Sequence, residues 1–152
     1  VLDHVFKNKI QNTLFAGIFN EEIFRELKNK KNKIVIKDSI SKKKISISIE
    51  KFYLKNDNAI VISNNNTVIF TKYRKPFHYL NDFRELNINL KKYKILIVKS
   101  GYLSPELKKL KADNFMILTD GFVTQDFKRI KNLFREKPIY PFQKNFRYNI
   151  AI

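Results

Sequence analysis

The sequence predicts an α/β fold: a single domain with a mixed sheet, an antiparallel meander in the middle and βα units at both ends. Short apolar runs followed by helix-start signals occur near both ends of the chain. The middle instead alternates with a period of two, as in Ile45-Ser46-Ile47-Ser48-Ile49. The chain has 152 residues, 43% of them apolar, which is enough to bury one core. Because no linker or repeat divides it, residues 1–152 are predicted to form one domain.

The first βα unit is predicted directly after the N-terminal segment. The apolar run Thr13–Phe19 predicts a buried strand, and Asn20 predicts the N-cap of the next helix. Glu21 and Glu22 then occupy the first turn, where the helix dipole favours carboxylates. Residues 1–12 have apolar residues at helical spacing and do not begin with Met. We therefore expect them to be the tail of a helix that belongs to a preceding N-terminal part.

The middle of the chain predicts four antiparallel strands. The strand patterns cover residues 33–40, 45–49, 59–62 and 67–70. Asn64-Asn65-Asn66 separates the last two, and asparagine tolerates the positive φ of a tight turn. These features indicate an antiparallel meander.

The second half returns to alternating helices and strands. Helices are predicted over residues 77–86, from Ser104 to about Ala112, and from Thr124 onward, with strands over 94–99 and 114–119. Ser104 is a typical N-cap, and Pro105 suits the first helical position. The prolines at 138 and 141 predict an extended end.

The formal charge of +17 raises nucleic acid as a partner. However, 25 of the 31 basic residues are lysines, and nucleic-acid readers favour arginine for bidentate contacts. Asparagine (17) and isoleucine (20) are also abundant, as A/T-rich coding favours. The composition therefore favours a solvated lysine coat, and a basic nucleic-acid-binding module stays the alternative. No apolar run approaches the length of a membrane span or a signal-peptide core, so we expect a cytoplasmic protein without a membrane partner.

Side chains suited to metal binding or catalysis are few. There is no cysteine, and the two histidines, His4 and His78, belong to no metal-binding spacing. Three scattered glycines build neither a dinucleotide nor a P-loop fingerprint. We therefore predict no catalytic residue, metal site or cofactor within this chain.

Two loops are the best candidate binding surface. They follow the predicted strands 94–99 and 114–119, at the carboxyl ends where α/β sheets bind ligands. The residues predicted to face a substrate there are Lys99, Ser100, Tyr102, Gly121, Thr124 and Asp126. Thr124 and Asp126 also fit a helix cap and its first-turn dipole partner.

Three ordered motifs carry a resemblance that covers nearly the whole chain. They are Lys99-Ser100-Gly101-Tyr102-Leu103-Ser104-Pro105-Glu106-Leu107, then Leu118-Thr119-Asp120-Gly121-Phe122-Val123-Thr124-Gln125-Asp126, and finally Lys137-Pro138-Ile139-Tyr140-Pro141-Phe142. In order and approximate spacing they resemble the C-terminal domain of the MlrC-like (microcystinase C) zinc metallopeptidases. The segments 14–22 and 83–88 also resemble that family, although Asn87 and Asp120 replace its usual glycine and proline.

The resemblance implies that any catalytic zinc belongs to an N-terminal domain, supplied in cis or in trans. This chain would then be a non-metal-binding domain that completes a substrate cleft and is not catalytic on its own. A homo-oligomer is a further expectation. An inactive, truncated or diverged fragment is the other alternative, because the loss of family glycines at Asn87 and at Lys37-Asp38 suggests relaxed functional demand.

Overall fold

The computed structural model describes residues 1–29, 32–37, 43–99 and 104–117. Two compact units are distinguished, Val1–Asn114 and Phe115–Ile152. Of the second unit, residues 115–117 are described and belong to no helix or strand. In the first unit the helices are α1 (Leu2–Lys7), α2 (Glu21–Lys28), α3 (Leu80–Arg84) and α4 (Pro105–Lys108), with a 3-10 turn at Leu90–Lys92. The strands are β1 (Thr13–Phe19), β2 (Lys33–Lys37), β3 (Lys44–Ser48), β4 (Lys51–Lys55), β5 (Asn58–Ser63), β6 (Asn66–Thr71) and β7 (Ile95–Val98).

Five of these strands form one mixed sheet in the order β4-β5-β6-β1-β7. The strands β4, β5 and β6 form an antiparallel meander, whereas β1 pairs in parallel with both β6 and β7. The strands β2 and β3 form a separate antiparallel pair. The predicted α/β class with a mixed sheet is therefore confirmed.

The sheet is covered on both faces. Phe15, Val68 and Phe70 point to one face and pack with the apolar side of α2 and with Ile34 of the β2–β3 pair. On the other face, a second cluster combines side chains of the sheet with apolar side chains from the segments that come after β6 in the sequence. Its buried members are Leu14, Ala16, Ile60, Ile69, Phe77, Phe83, Leu86, Ile88 and Leu107. Parallel strands need cover on both faces, and each cluster supplies one side of it.

The turns of the meander consist of asparagine and aspartate residues at positive φ. Asn56 and Asp57 join β4 to β5, and Asn64 and Asn65 join β5 to β6, all four with φ between 47° and 58°. Two successive residues at positive φ form the type I′ turn, whose twist suits a hairpin. Asn87 also has a φ of 59°. Asparagine is one of the few residues other than glycine that adopt this left-handed conformation readily.

Asn66 ties the meander to the parallel part of the sheet. Its side-chain oxygen accepts the backbone N–H of Thr13 at 2.9 Å, and its amide nitrogen donates to the carbonyl of Ile10 at 2.7 Å. Asn66 is buried, so these bonds satisfy backbone groups that water does not reach.

Several predicted elements need correction. The meander has three strands rather than four, because β2 and β3 pair apart from it, and β4 was not predicted. The helix expected over 77–86 is confined to Leu80–Arg84, and the helix from Ser104 ends at Lys108. Residues 114–117 form no strand, although one was expected over 114–119. The helix predicted from Thr124 lies outside the described residues.

Candidate functional site

The candidate site lies at the carboxyl ends of the parallel strands. From β1 the chain passes into α2 on one face of the sheet, whereas from β6 it passes to the opposite face, where Phe77 and Phe83 are buried. Adjacent strands that leave the sheet on opposite faces open a crevice at their carboxyl ends, where α/β proteins bind ligands.

Residues 74–79, which we call the strap, cross the end of β1. A β-bulge between Ala16 and Ile18 interrupts the pairing with β6, and the residue skipped is Gly17, with a φ of 84°. A Cβ atom at Gly17 would lie 3.3 Å from Cδ2 of Phe77 and 3.5 Å from the carbonyl oxygen of Lys75. Glycine is therefore required here both by backbone conformation and by the close approach of the strap.

The strap is anchored to α3 through Asp82. Oδ2 of Asp82 accepts the backbone N–H groups of His78 (3.1 Å) and Tyr79 (2.9 Å), and Oδ1 lies 3.1 Å from Nζ of Lys75. The Asp82 side chain is only 11% exposed, so these charge-assisted bonds are shielded from water. Asp82 thus binds the strap through the backbone of His78 and Tyr79 and through the side chain of Lys75.

A second anchor comes from α4. The hydroxyl of Ser104 donates to the carbonyl of His78 and accepts the N–H of Leu107 at 3.2 Å, which makes it the N-cap that the sequence predicts. Oε2 of Glu106 accepts the N–H of Leu80 at 2.8 Å. The strap is therefore held over Gly17 both by α3, which follows it directly in sequence, and by α4, which is distant in sequence.

Under the strap lies an open cleft of about 390 Å³. Its described lining residues are Gly17, Phe19, Arg74, Lys75, Pro76, His78 and Lys99. Arg74, Lys75 and Lys99 bring positive charge to it, and the Arg74 guanidinium stacks 5.4 Å from the centre of the Phe19 ring. We call this the strap cleft.

A second cavity, of about 310 Å³, lies beside the turn between β4 and β5. Its walls include Glu21 and Asp57 as well as Arg25 and Lys72, so its charges are of both signs. A hydrogen bond to Tyr73, with smaller contributions from nearby acidic groups, raises the pKa of Lys72. Because its acidic and basic side chains offset one another, this cavity is a weaker candidate than the strap cleft.

Of the predicted substrate-facing residues, the structure describes Lys99, which lines the strap cleft. Ser100, Tyr102, Gly121, Thr124 and Asp126 lie outside the described residues.

Sequence reasoning missed Gly17, Arg74 and Lys75. Arg74 and Lys75 belong to a short basic and aromatic stretch, Tyr73-Arg74-Lys75, of a kind suited to single-stranded nucleic acid, and nothing in it marks the wall of a cleft. The detectable signal was a glycine inside the apolar run Thr13–Phe19, since glycine in a strand often marks a bulge or a close approach.

The described residues do not fit a zinc site. No group of three histidine, cysteine or acidic side chains comes together in the part of the chain that the structure describes. His4 lies on the exposed helix α1 beside Asn8, and it is the backbone N–H of His78 that contacts Asp82. Within the same described ranges, no helix combines the length and the apolar character needed to cross a bilayer.

Comparison with known proteins gives one family. The family model described as MlrC C-terminus matches residues 35–132, which is well over half of the 152 residues. The matched range includes β6, the whole strap and Lys99. No curated protein matches the chain.

Proposed function

The chain belongs to the MlrC C-terminal domain family, and from that membership we propose that it is the substrate-side domain of a metallopeptidase-like hydrolase. On this proposal it completes a substrate cleft and packs on a zinc-bearing N-terminal domain, in the same chain or in another. Its own contribution is to bind and orient the substrate, and the hydrolytic chemistry is supplied by the other domain.

The strap cleft carries this proposal. It lies at the carboxyl ends of the parallel strands, it is lined by Lys99, and Asp82 and Ser104 hold its cover in place. A cleft whose walls are anchored before a ligand arrives orients that ligand at a lower entropic cost. Orientation of this kind is what a domain without catalytic side chains contributes to a reaction.

The test is a peptidase assay in two arms. In the first, the chain alone is incubated with zinc and a set of linear peptides, and we expect no turnover. In the second, a zinc-bearing N-terminal domain of an MlrC-like protein is added in equal amount, and we expect hydrolysis to appear. Lys99→Gln is then expected to raise KM with little change in kcat, because it weakens binding rather than chemistry. Lys91→Gln, an exposed lysine that does not line the cleft, is the matched control.

Two results would contradict the proposal. Chelator-sensitive hydrolysis by the chain alone would show that it carries its own metal centre. If the zinc-bearing domain binds and hydrolyses the peptides equally well with and without this chain, the two domains do not form one site.

A further inference from the structure

We propose that the strap cleft is an anion-binding site, which takes one carboxylate or phosphate group of a small ligand between Arg74, Lys75 and Lys99. This deepens the proposed function and rests on it for the identity of the ligand: in a peptidase-like cleft the anion is the terminal carboxylate of the substrate.

The charges of the cleft favour an anion. Arg74 and Lys75 come from the strap and Lys99 follows β7, so the cations approach from two segments far apart in sequence. None of the described residues that line the cleft is acidic. Asp82 lies nearby, but its two oxygens already hold Lys75 and two backbone N–H groups. The lining therefore has an excess of positive charge, which a concave surface focuses.

Arg74 is the lining cation best suited to a planar anion. Its guanidinium carbon lies 5.4 Å from the centre of the Phe19 ring, a cation–π contact. In the described part of the chain, Arg74 has no ion pair with a carboxylate. A guanidinium in a cation–π contact can still donate its N–H groups, which match carboxylate and phosphate oxygens in pairs.

Gly17 shapes the floor of the cleft by letting the strap approach β1 closely. A side chain there would lie between the strap and the end of β1, as the distances of 3.3 Å to Phe77 and 3.9 Å to the carbonyl of Lys99 show. The bulge also leaves Gly17 outside the register with β6. Glycine at this position thus fixes where the strap lies over β1, and the cleft beside this contact has a volume of about 390 Å³, which suits a small ligand.

The experiment is calorimetric titration of the whole chain, without any partner domain, using three probes. These are N-acetyl-dialanine, the same compound as its C-terminal amide, and inorganic phosphate. We expect the acid to bind and the amide to bind at least about tenfold more weakly, because only the acid offers charged oxygens to Arg74. Binding of phosphate but not of the acid would keep the anion site and assign it to phosphate groups, which would overturn the carboxylate identity.

Substitutions localise the site. Arg74→Gln and Lys99→Gln are each expected to weaken acid binding by about five- to tenfold, and Arg74→Lys is expected to restore only part of it. Lys91→Gln removes the same charge from an exposed residue outside the cleft and should leave binding within a factor of two, roughly the effect of general screening. All four substitutions are at exposed side chains, and circular dichroism checks that folding is unchanged.

The outcomes separate the two proposals. Equal binding of acid and amide, or an equal loss with Lys91→Gln, would overturn the anion site. A third outcome is that the acid binds, that Arg74→Gln abolishes this binding, and that the zinc-bearing domain gains no peptidase activity from this chain. That outcome would support the anion site and contradict the proposed function.

Discussion

Replacing Gly17 with alanine tests the architecture of the strap most directly. The substitution forces an alanine to a φ of 84°, a left-handed conformation that costs an L-residue about 1–2 kcal/mol. It also places a Cβ atom 3.3 Å from Phe77, whose ring is buried and packs 5.2 Å from that of Phe83. Overfilling a packed core costs about 1–3 kcal/mol, and the lower entropy of the unfolded alanine chain offsets about 0.4–1 kcal/mol. We expect a net loss in the free energy of unfolding of about 1–5 kcal/mol.

A matched control separates the two causes. Asn87 also has a positive φ but is exposed, so Asn87→Ala changes the backbone preference without meeting a packed ring. Both variants are compared with the unsubstituted chain by urea unfolding at equal m-value. We expect Asn87→Ala to lose about 1 kcal/mol or less and Gly17→Ala to lose clearly more. A Gly17→Ala loss no larger than that of Asn87→Ala would refute the close approach of the strap.

Three further predictions concern anchoring, pairing and pH. Asp82→Ala should lower the free energy of unfolding by about 2–3 kcal/mol, since it leaves two strap N–H groups without their acceptor. Urea unfolding measures this change, and a loss below about 0.5 kcal/mol would contradict the anchoring role of Asp82. Asn66→Ala should cost about 2–4 kcal/mol in the same assay because it removes both buried bonds to the segment before β1, and an unchanged midpoint would count against that link. Burial, aided by Tyr93, raises the pKa of Tyr53, so the folded state holds this proton more tightly than the unfolded state. The resulting stabilisation is complete below the ordinary pKa of about 10 and is lost as pH rises through the higher folded value. Over this pH range the urea midpoint of Tyr53→Phe should fall less steeply than that of the unsubstituted chain. The same slope of midpoint against pH in both proteins would contradict the prediction.

The alternative of nucleic-acid binding is tested by titrating the chain with mixed-sequence RNA at several salt concentrations. We expect weak binding with a shallow dependence on salt, because the lysines act as a solvated coat. Sub-micromolar binding near physiological salt with a steep logarithmic slope would show that many phosphates are contacted, and would favour the alternative.

Local signals predicted the first βα unit and one turn of the meander well. The run Thr13–Phe19 is β1 with the same bounds, and Asn20 caps α2 by accepting the N–H of Ile23 at 3.2 Å. Asn64 and Asn65 adopt the positive φ predicted for their turn. In each case a few neighbouring residues determine the structure, so the pattern is visible without knowledge of the rest of the chain.

Long-range contacts explain what the sequence did not predict. Phe77 has helical spacing to Leu80 and Phe83, but it lies before the helix, because the backbone of the next residue, His78, bonds instead to the side chains of Asp82 and Ser104. Strand β4 was missed because Phe52, Tyr53 and Leu54 are three apolar residues in a row rather than an alternation. The cleft combines Gly17, the strap and Lys99, and no local pattern connects segments so far apart.

The interior position of β1, between β6 and β7, constrains the order in which the chain can fold. Its neighbours are β6 and β7, and β7 begins 76 residues after β1 ends. The hairpins of β4, β5 and β6 need only local loops to close, and such contacts form fastest. On a ribosome that adds about 5–20 residues per second, β1 waits roughly 4–15 s for its last neighbour to be synthesised. During that interval the apolar run from Leu14 to Phe19 has an unpaired edge, and self-association of the growing chain competes with folding at this strand.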